Sequence, residues 1–145
     1  MAIQYRDDQV YADTQNDLPE VIRRYSTDIY PAEHFADAVC KCGCKTFELA
    51  LDETEGAAVR VCTQCEAEHS IGDTEEYPED AELEFCECLC DAVVFEITVG
   101  VALKPDSQDV RWLYLACRCP ECNLAGCYAD WKSESLGYRK LLDNV

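Results

Sequence analysis

The chain has 145 residues, one domain's length by the usual prior of roughly 100–200 residues. Its 30 Asp and Glu against 12 Lys and Arg leave a net charge of −18, which argues against a phosphate-backbone binder, since that needs a basic face to release counterions. No apolar run approaches the ~20 residues of a membrane span, and the opening Met1-Ala-Ile-Gln-Tyr-Arg lacks the positive start and apolar run of a secretory signal. The expectation is a soluble, cytoplasmic protein that touches neither nucleic acid nor membrane.

Residues 1–39 read as an N-terminal extension with one short helix at 17–25. Asp17 can cap it, and Leu18, Val21, Ile22 and Tyr25 fall at helical spacing on one face.

The cysteines, twelve in all, follow in four bunches: Cys40, Cys42 and Cys44; Cys62 and Cys65; Cys86, Cys88 and Cys90; then Cys117, Cys119, Cys122 and Cys127. Thiols separated by only one or two residues are poor partners for one another in disulfides but can turn toward a single ion. In a reducing compartment this favours metal binding, with a disulfide framework as the alternative.

The bunches also reveal an internal repeat. Val39-Cys40-Lys-Cys42-Gly-Cys44 leads into Phe47-Glu-Leu49-Ala-Leu51, and Phe85-Cys86-Glu-Cys88-Leu-Cys90 leads into Phe95-Glu-Ile97-Thr-Val99. Aligned on the first cysteine, Leu89 stands where Gly43 does. Each copy then predicts a hairpin. Phe47, Leu49 and Leu51 share one side of a strand, 52–56 turn, and 57–61 return. In the second copy Phe95, Ile97, Val99, Val101 and Leu103 alternate, 104–109 turn, and 110–116 return. Cys62-Thr-Gln-Cys65 and Cys119-Pro-Glu-Cys122-Asn123 close the two copies. Gly43 and Asn123 suit left-handed backbone within knuckles.

Nineteen residues (43–61) separate Cys42 from Cys62, a spacing that reads as a zinc site. With Phe47-Glu48-Leu49 after Cys40-Lys-Cys42-Gly43, the chain resembles the zinc-ribbon superfamily over residues 38–73 and, more loosely, 84–131. The resemblance implies two structural Zn²⁺ ions, one held by Cys40, Cys42, Cys62 and Cys65, the other by Cys86, Cys88, Cys119 and Cys122. Cys44 and Cys90 could replace Cys42 and Cys88, or serve as small apolar residues near the sites. Cys117 and Cys127 suit core packing. Iron is the alternative occupant, since four thiolates serve either metal. His34 and His69 lie just outside the knuckles and read as supporting or surface residues, with His69, four residues after Cys65, a spare ligand as the alternative.

The expected fold is small, mixed and β-rich: two zinc-ribbon hairpin units at 40–73 and 86–131, an acidic linker at 74–85, and a short C-terminal helix within 132–145. Leu136, Leu141 and Leu142 of that helix could pack on the second ribbon. The linker carries Glu75, Glu76, Glu79, Asp80, Glu82 and Glu84 and no base, so it reads as a solvated connector or as a docking face for a basic protein.

No phosphate-cradling glycine loop, serine elbow or His-Glu-x-x-His helix is present, so no catalytic residue is expected. The functional expectation is a non-catalytic, acidic zinc-binding protein that binds a basic protein, as small acidic immunity and inhibitor proteins of similar size and charge do. A nucleic-acid or transcription accessory ribbon and a thiol redox or metal-handling protein are the alternatives; Arg60, Lys104, Arg111 and Arg118 form no basic run for the former. Because metal-binding energy is folding energy in such units, replacing Cys62 or Cys119 with Ser should unfold the ribbon concerned. An unchanged metal count and melting temperature in either variant would contradict the ligand assignment.

Overall fold

The computed structural model describes residues 3–6, 9–52, 56–71, 82–133, 136–143 and 145, which form a β-rich fold of two antiparallel sheets and two short helices. Both expected hairpins are present. Strand β4 (Phe47–Asp52) returns as β5 (Ala57–Cys62), and β8 (Glu96–Leu103) returns as β9 (Val110–Arg118). Each hairpin gains a third strand after its closing knuckle, β6 (Glu68–Ser70) beside β5 and β10 (Leu124–Lys132) beside β9. Three strands bury a face that two leave marginal.

The segments before the knuckles also join the sheets. β1 (Ile3–Arg6) and β2 (Gln9–Ala12) form a hairpin that lies along β10, and β3 (His34–Asp37) lines the far edge on β8. The larger sheet therefore runs β1-β2-β10-β9-β8-β3, and the smaller runs β6-β5-β4-β7, with β7 spanning Glu84–Phe85. Of the expected acidic linker, Glu75, Glu76, Glu79 and Asp80 lie outside the described residues; Glu82 is exposed and Glu84 belongs to β7.

The pairing is reciprocal between the two units. β3 precedes the first knuckle yet pairs with β8 of the second unit, while β7 precedes the second knuckle and pairs with β4 of the first. Where β4 and β8 begin, Phe47 and Phe95 each donate an amide hydrogen bond of 2.8 Å to the other's carbonyl, and both rings are fully buried. A pseudo-twofold axis passes through this pair.

Alternation along the strands builds two cores, one on each face of the larger sheet. Leu113, Leu115 and Cys117 of β9 point into the core shared with the smaller sheet, among Phe47, Leu49 and Val99. Tyr114 and Ala116 point the other way, under helix α1 (Leu18–Ser26), which buries Leu18, Val21 and Ile22. Tyr25, expected on the same apolar face, is instead 45 % exposed and donates a 3.0 Å hydrogen bond to Asp130 Oδ1. The Asp17 carboxylate accepts from the amide of Thr14 at 3.2 Å, supporting the 3₁₀ turn Gln15–Asp17 ahead of the helix.

The second helix, α2 (Tyr138–Leu142), is shorter than expected, because Gly137 at φ +74° interrupts the segment. Leu141 is buried and Leu142 half-buried, whereas Leu136 stands 79 % exposed before the break. His34 stacks on Tyr138 with ring centroids 3.8 Å apart. No helix among the described residues is long and apolar enough to cross a membrane.

Helix α1 approaches β8 closely at Gly100, where a Cβ would meet Ile22 Cγ2 and the Phe35 ring at 3.0 Å. Overpacking such a contact typically costs about 1–3 kcal/mol, so Gly100→Val should lower the urea midpoint of the metal-loaded protein by that equivalent. An unchanged midpoint would mean that α1 does not rest on β8 as described.

Candidate metal centres

The two knuckles of each unit are shaped by the same hydrogen bonds. In the first, the Cys40 amide donates to the Cys44 carbonyl (2.9 Å) and the Gly43 amide to the Cys40 carbonyl (2.8 Å). In the second, Cys88 donates to Ala92 (2.8 Å) and Asp91 to Cys88 (2.9 Å). Gly43 has φ +92° and Asp91 φ +75°, a left-handed position that Gly takes freely and Asp tolerates. The closing knuckles match likewise: Glu66 donates to the Cys62 carbonyl and Asn123 to the Cys119 carbonyl, with φ of +62° and +68°.

These loops gather Cys40, Cys42, Cys62 and Cys65 into one group and Cys88, Cys90, Cys119 and Cys122 into another, all sulfurs of a group lying within 4.8 Å of one another. The closest pairs are Cys40–Cys65 at 3.4 Å, Cys42–Cys62 at 3.6 Å, Cys88–Cys122 at 3.5 Å and Cys90–Cys119 at 3.6 Å. All twelve cysteines are free thiols, and these separations are far longer than the ~2.05 Å of a disulfide. Four sulfurs bound at ~2.3 Å in a tetrahedron stand about 3.8 Å apart, so each group has the dimensions of a four-thiolate metal site.

The first group is the expected one. The second differs by one ligand: Cys90 stands in the group and Cys86 does not. The reason is register. Cys88 and Cys90 occupy the places of Cys40 and Cys42, and Asp91, not Leu89, occupies that of Gly43. Cys86 then corresponds to the fully buried Ala38: the Cys86 amide donates to Leu49 and the Ala38 amide to Ile97, each on the other unit's first strand. Burial pushes the Cys86 thiol up to about 11, as befits a packing residue. The sequence signal for this register is the distance to the aromatic. Five residues lead from Cys42 to Phe47 and five from Cys90 to Phe95.

Within each group the thiols pull apart in acidity. The Cys42 amide, with help from the Cys65 thiol, draws Cys40 down to about 7. The amides of Cys65 and Gln64, 3.4 and 3.3 Å from the sulfur, draw Cys62 below its ordinary value. Cys42 goes up to about 12, because burial and the neighbouring thiols together outweigh the larger lowering effect of the Cys44 amide. In the second group the Ala92 amide lowers Cys90, while burial pushes Cys88 up to about 12. Four like-charged sulfurs cannot all ionise side by side, and a dication is what lets them do so.

The remaining thiols lie elsewhere. Cys117 is fully buried and burial raises its thiol well above the ordinary value; burial also pushes Cys127 up to about 12. Cys44 lies 3.3 Å from Thr46 Oγ1 and outside the first group. His69 lines a cavity of about 370 Å³ beside Cys40 and Cys65 but is not among the four sulfur donors.

Two arginines brace the sites. Arg60 places its guanidinium 4.4 Å from the centre of the Phe47 ring and donates to the Val145 main-chain oxygen at 2.7 Å. Arg118, next to Cys119, pairs with Glu96 and donates to the Ala12 carbonyl (2.7 Å) and to Asn123 Oδ1 (2.6 Å). Comparison with protein-family models, with curated proteins and with solved structures finds no match to the chain.

The register makes a sharp prediction for two cysteines only four residues apart. Cys90→Ser should lower the metal content from two ions per chain to one, whereas Cys86→Ser should keep both, as read by native mass spectrometry. The opposite pattern would restore Cys86 as the ligand.

Proposed function

We propose that the protein is a pair of fused zinc ribbons, non-catalytic, whose metal-braced scaffold binds a basic protein partner. The observation that carries the metal half is the gathering of eight sulfurs into two groups of tetrahedral dimensions. Zinc would be held by Cys40, Cys42, Cys62 and Cys65 at one site and by Cys88, Cys90, Cys119 and Cys122 at the other. When bound it supplies cross-linking charge, without redox chemistry. Zinc is favoured over iron because both opening knuckles are Cys-x-Cys rather than Cys-x-x-Cys. Four thiolates per ion leave no open coordination position for a substrate, which supports a structural rather than a catalytic role.

The partner half rests on charge. A surface field from −18 net charges attracts basic proteins and speeds their encounter. The nucleic-acid alternative draws little support from the arginines. Arg60 and Arg118 are committed to internal contacts, and Arg111 lies 4.0 Å from the centre of the Tyr30 ring. Of the four cysteines outside the sulfur groups, Cys86, Cys117 and Cys127 weigh against the redox alternative, since burial raises their thiols. Cys44, drawn down by Thr46 and Thr63, is left without a partner thiol of like acidity among the four.

Captured gently from its own cells at low ionic strength, the protein should carry two zinc ions and a stoichiometric partner of high isoelectric point that dissociates as salt is raised. Two zinc ions with no such partner would remove the binding half and leave the scaffold. A mass lower by two hydrogens per cysteine pair, without metal, would overturn the scaffold itself.

A further inference from the structure

The two opening knuckles share one backbone but present different surfaces. At three exposed positions the first carries Asp37, Lys41 and Lys45; the matching positions of the second carry Phe85, Leu89 and Val93. These apolar side chains are 65 %, 73 % and 44 % exposed. Leu89 sits on the loop closed by the bond from the Cys88 amide to the Ala92 carbonyl, Phe85 ends β7 ahead of it and Val93 follows it, so metal held by Cys88 and Cys90 would fix the loop in place.

Three large apolar side chains are thus exposed within the nine residues 85–93, and exposed apolar groups rimmed by polar residues mark interaction sites. The surrounding charge selects the partner. Glu84, Glu87 and Asp91 alternate with the apolar residues and are exposed, and the sequence has no basic residue between His69 and Lys104. Carboxylates around an apolar tip repel phosphates, and they repel a second copy of the same acidic tip. They suit a segment in which lysines or arginines flank apolar side chains.

We propose that the second knuckle is the docking tip, taking a basic, amphipathic polypeptide segment whose apolar side chains cover Phe85, Leu89 and Val93. This rests on the reading of the protein as a binder of basic partners and places the contact at the metal-held knuckle, where the sequence alone pointed to the acidic stretch 74–85. Burial of anchors would supply affinity and the carboxylates register, as in other interfaces with an apolar centre and polar rim.

The probes are two synthetic peptides of equal positive charge, one of lysine and glycine, the other of lysine and leucine, titrated into the metal-loaded full chain. The leucine peptide should bind at least about tenfold tighter, the scale expected for burying a leucine side chain, and should shift the amide resonances of 84–93. Leu89→Gln with Val93→Thr should erase that advantage without altering net charge or metal count. The lysines of the first knuckle show that this backbone accepts polar side chains there. Phe85→Asp, which copies Asp37, provides an independent variant with the same expected direction.

Equal affinity for both peptides, or an advantage that survives these substitutions, would overturn the tip while leaving the basic-partner reading intact. Binding of neither peptide would overturn both. A dimer of the protein that Leu89→Gln with Val93→Thr dissociates would make a second copy the occupant and overturn the proposal.

Discussion

Four thiols held within 4.8 Å of one another set the terms for everything else in each unit. Without a cation they must stay partly protonated, because successive thiolates repel. The thiols already differ in acidity: the Cys42 amide draws Cys40 down to about 7, while, against the Cys44 amide, burial and the neighbouring thiols push Cys42 up to about 12. A bound dication would let all four ionise, and the backbone amides of Gln64 and Cys65 already point at the Cys62 sulfur. Strands as short as β6 and β7 gain little from their own pairing, so metal bound at the sulfurs would add to what orders the chain around them.

The Phe47–Phe95 pair couples the two centres. Its two amide hydrogen bonds fix how the first strands of the units meet, and the strand ahead of each knuckle then completes the other unit's sheet. Each opening knuckle is therefore anchored at its start to the opposite hairpin and at its end to its own. The arginines extend this bracing in different ways. Arg60 ties the first unit to the C-terminal segment at Val145, and Arg118 ties the second to Glu96 and to the exit of the N-terminal hairpin at Ala12. The same two-knuckle plan thus carries unlike surfaces, a lysine-bearing tip on one side and an apolar tip on the other.

The hairpins were legible because their strands alternate apolar residues facing a core, and the left-handed residue Asn123 was legible because few side chains tolerate that backbone. The second sulfur group was legible only in part. A run of Cys86, Cys88 and Cys90 offers two registers two residues apart, and aligning the first cysteines picks the wrong one. The invariant between the copies is the span from the knuckle to the buried phenylalanine, which is under packing constraint at both ends. Strands β1, β2, β3 and β7 were not legible, because each has at most four residues and its order comes from partners distant in sequence. The C-terminal helix was overestimated for a local reason: Leu136 fits an apolar pattern, but Gly137 turns the chain before the helix begins.

On the proposed reading, the acidity would draw basic partners, the second knuckle would present the contact, and metal bound at the sulfur groups would hold the knuckles in shape. The most direct test of the central claim is X-ray absorption at the zinc edge of the metal-loaded protein. Two four-thiolate sites should give a shell of four sulfurs at about 2.3 Å averaged over both ions, with no oxygen or nitrogen neighbour. A shell mixed with lighter donors, or a fit requiring fewer than four sulfurs per ion, would contradict it.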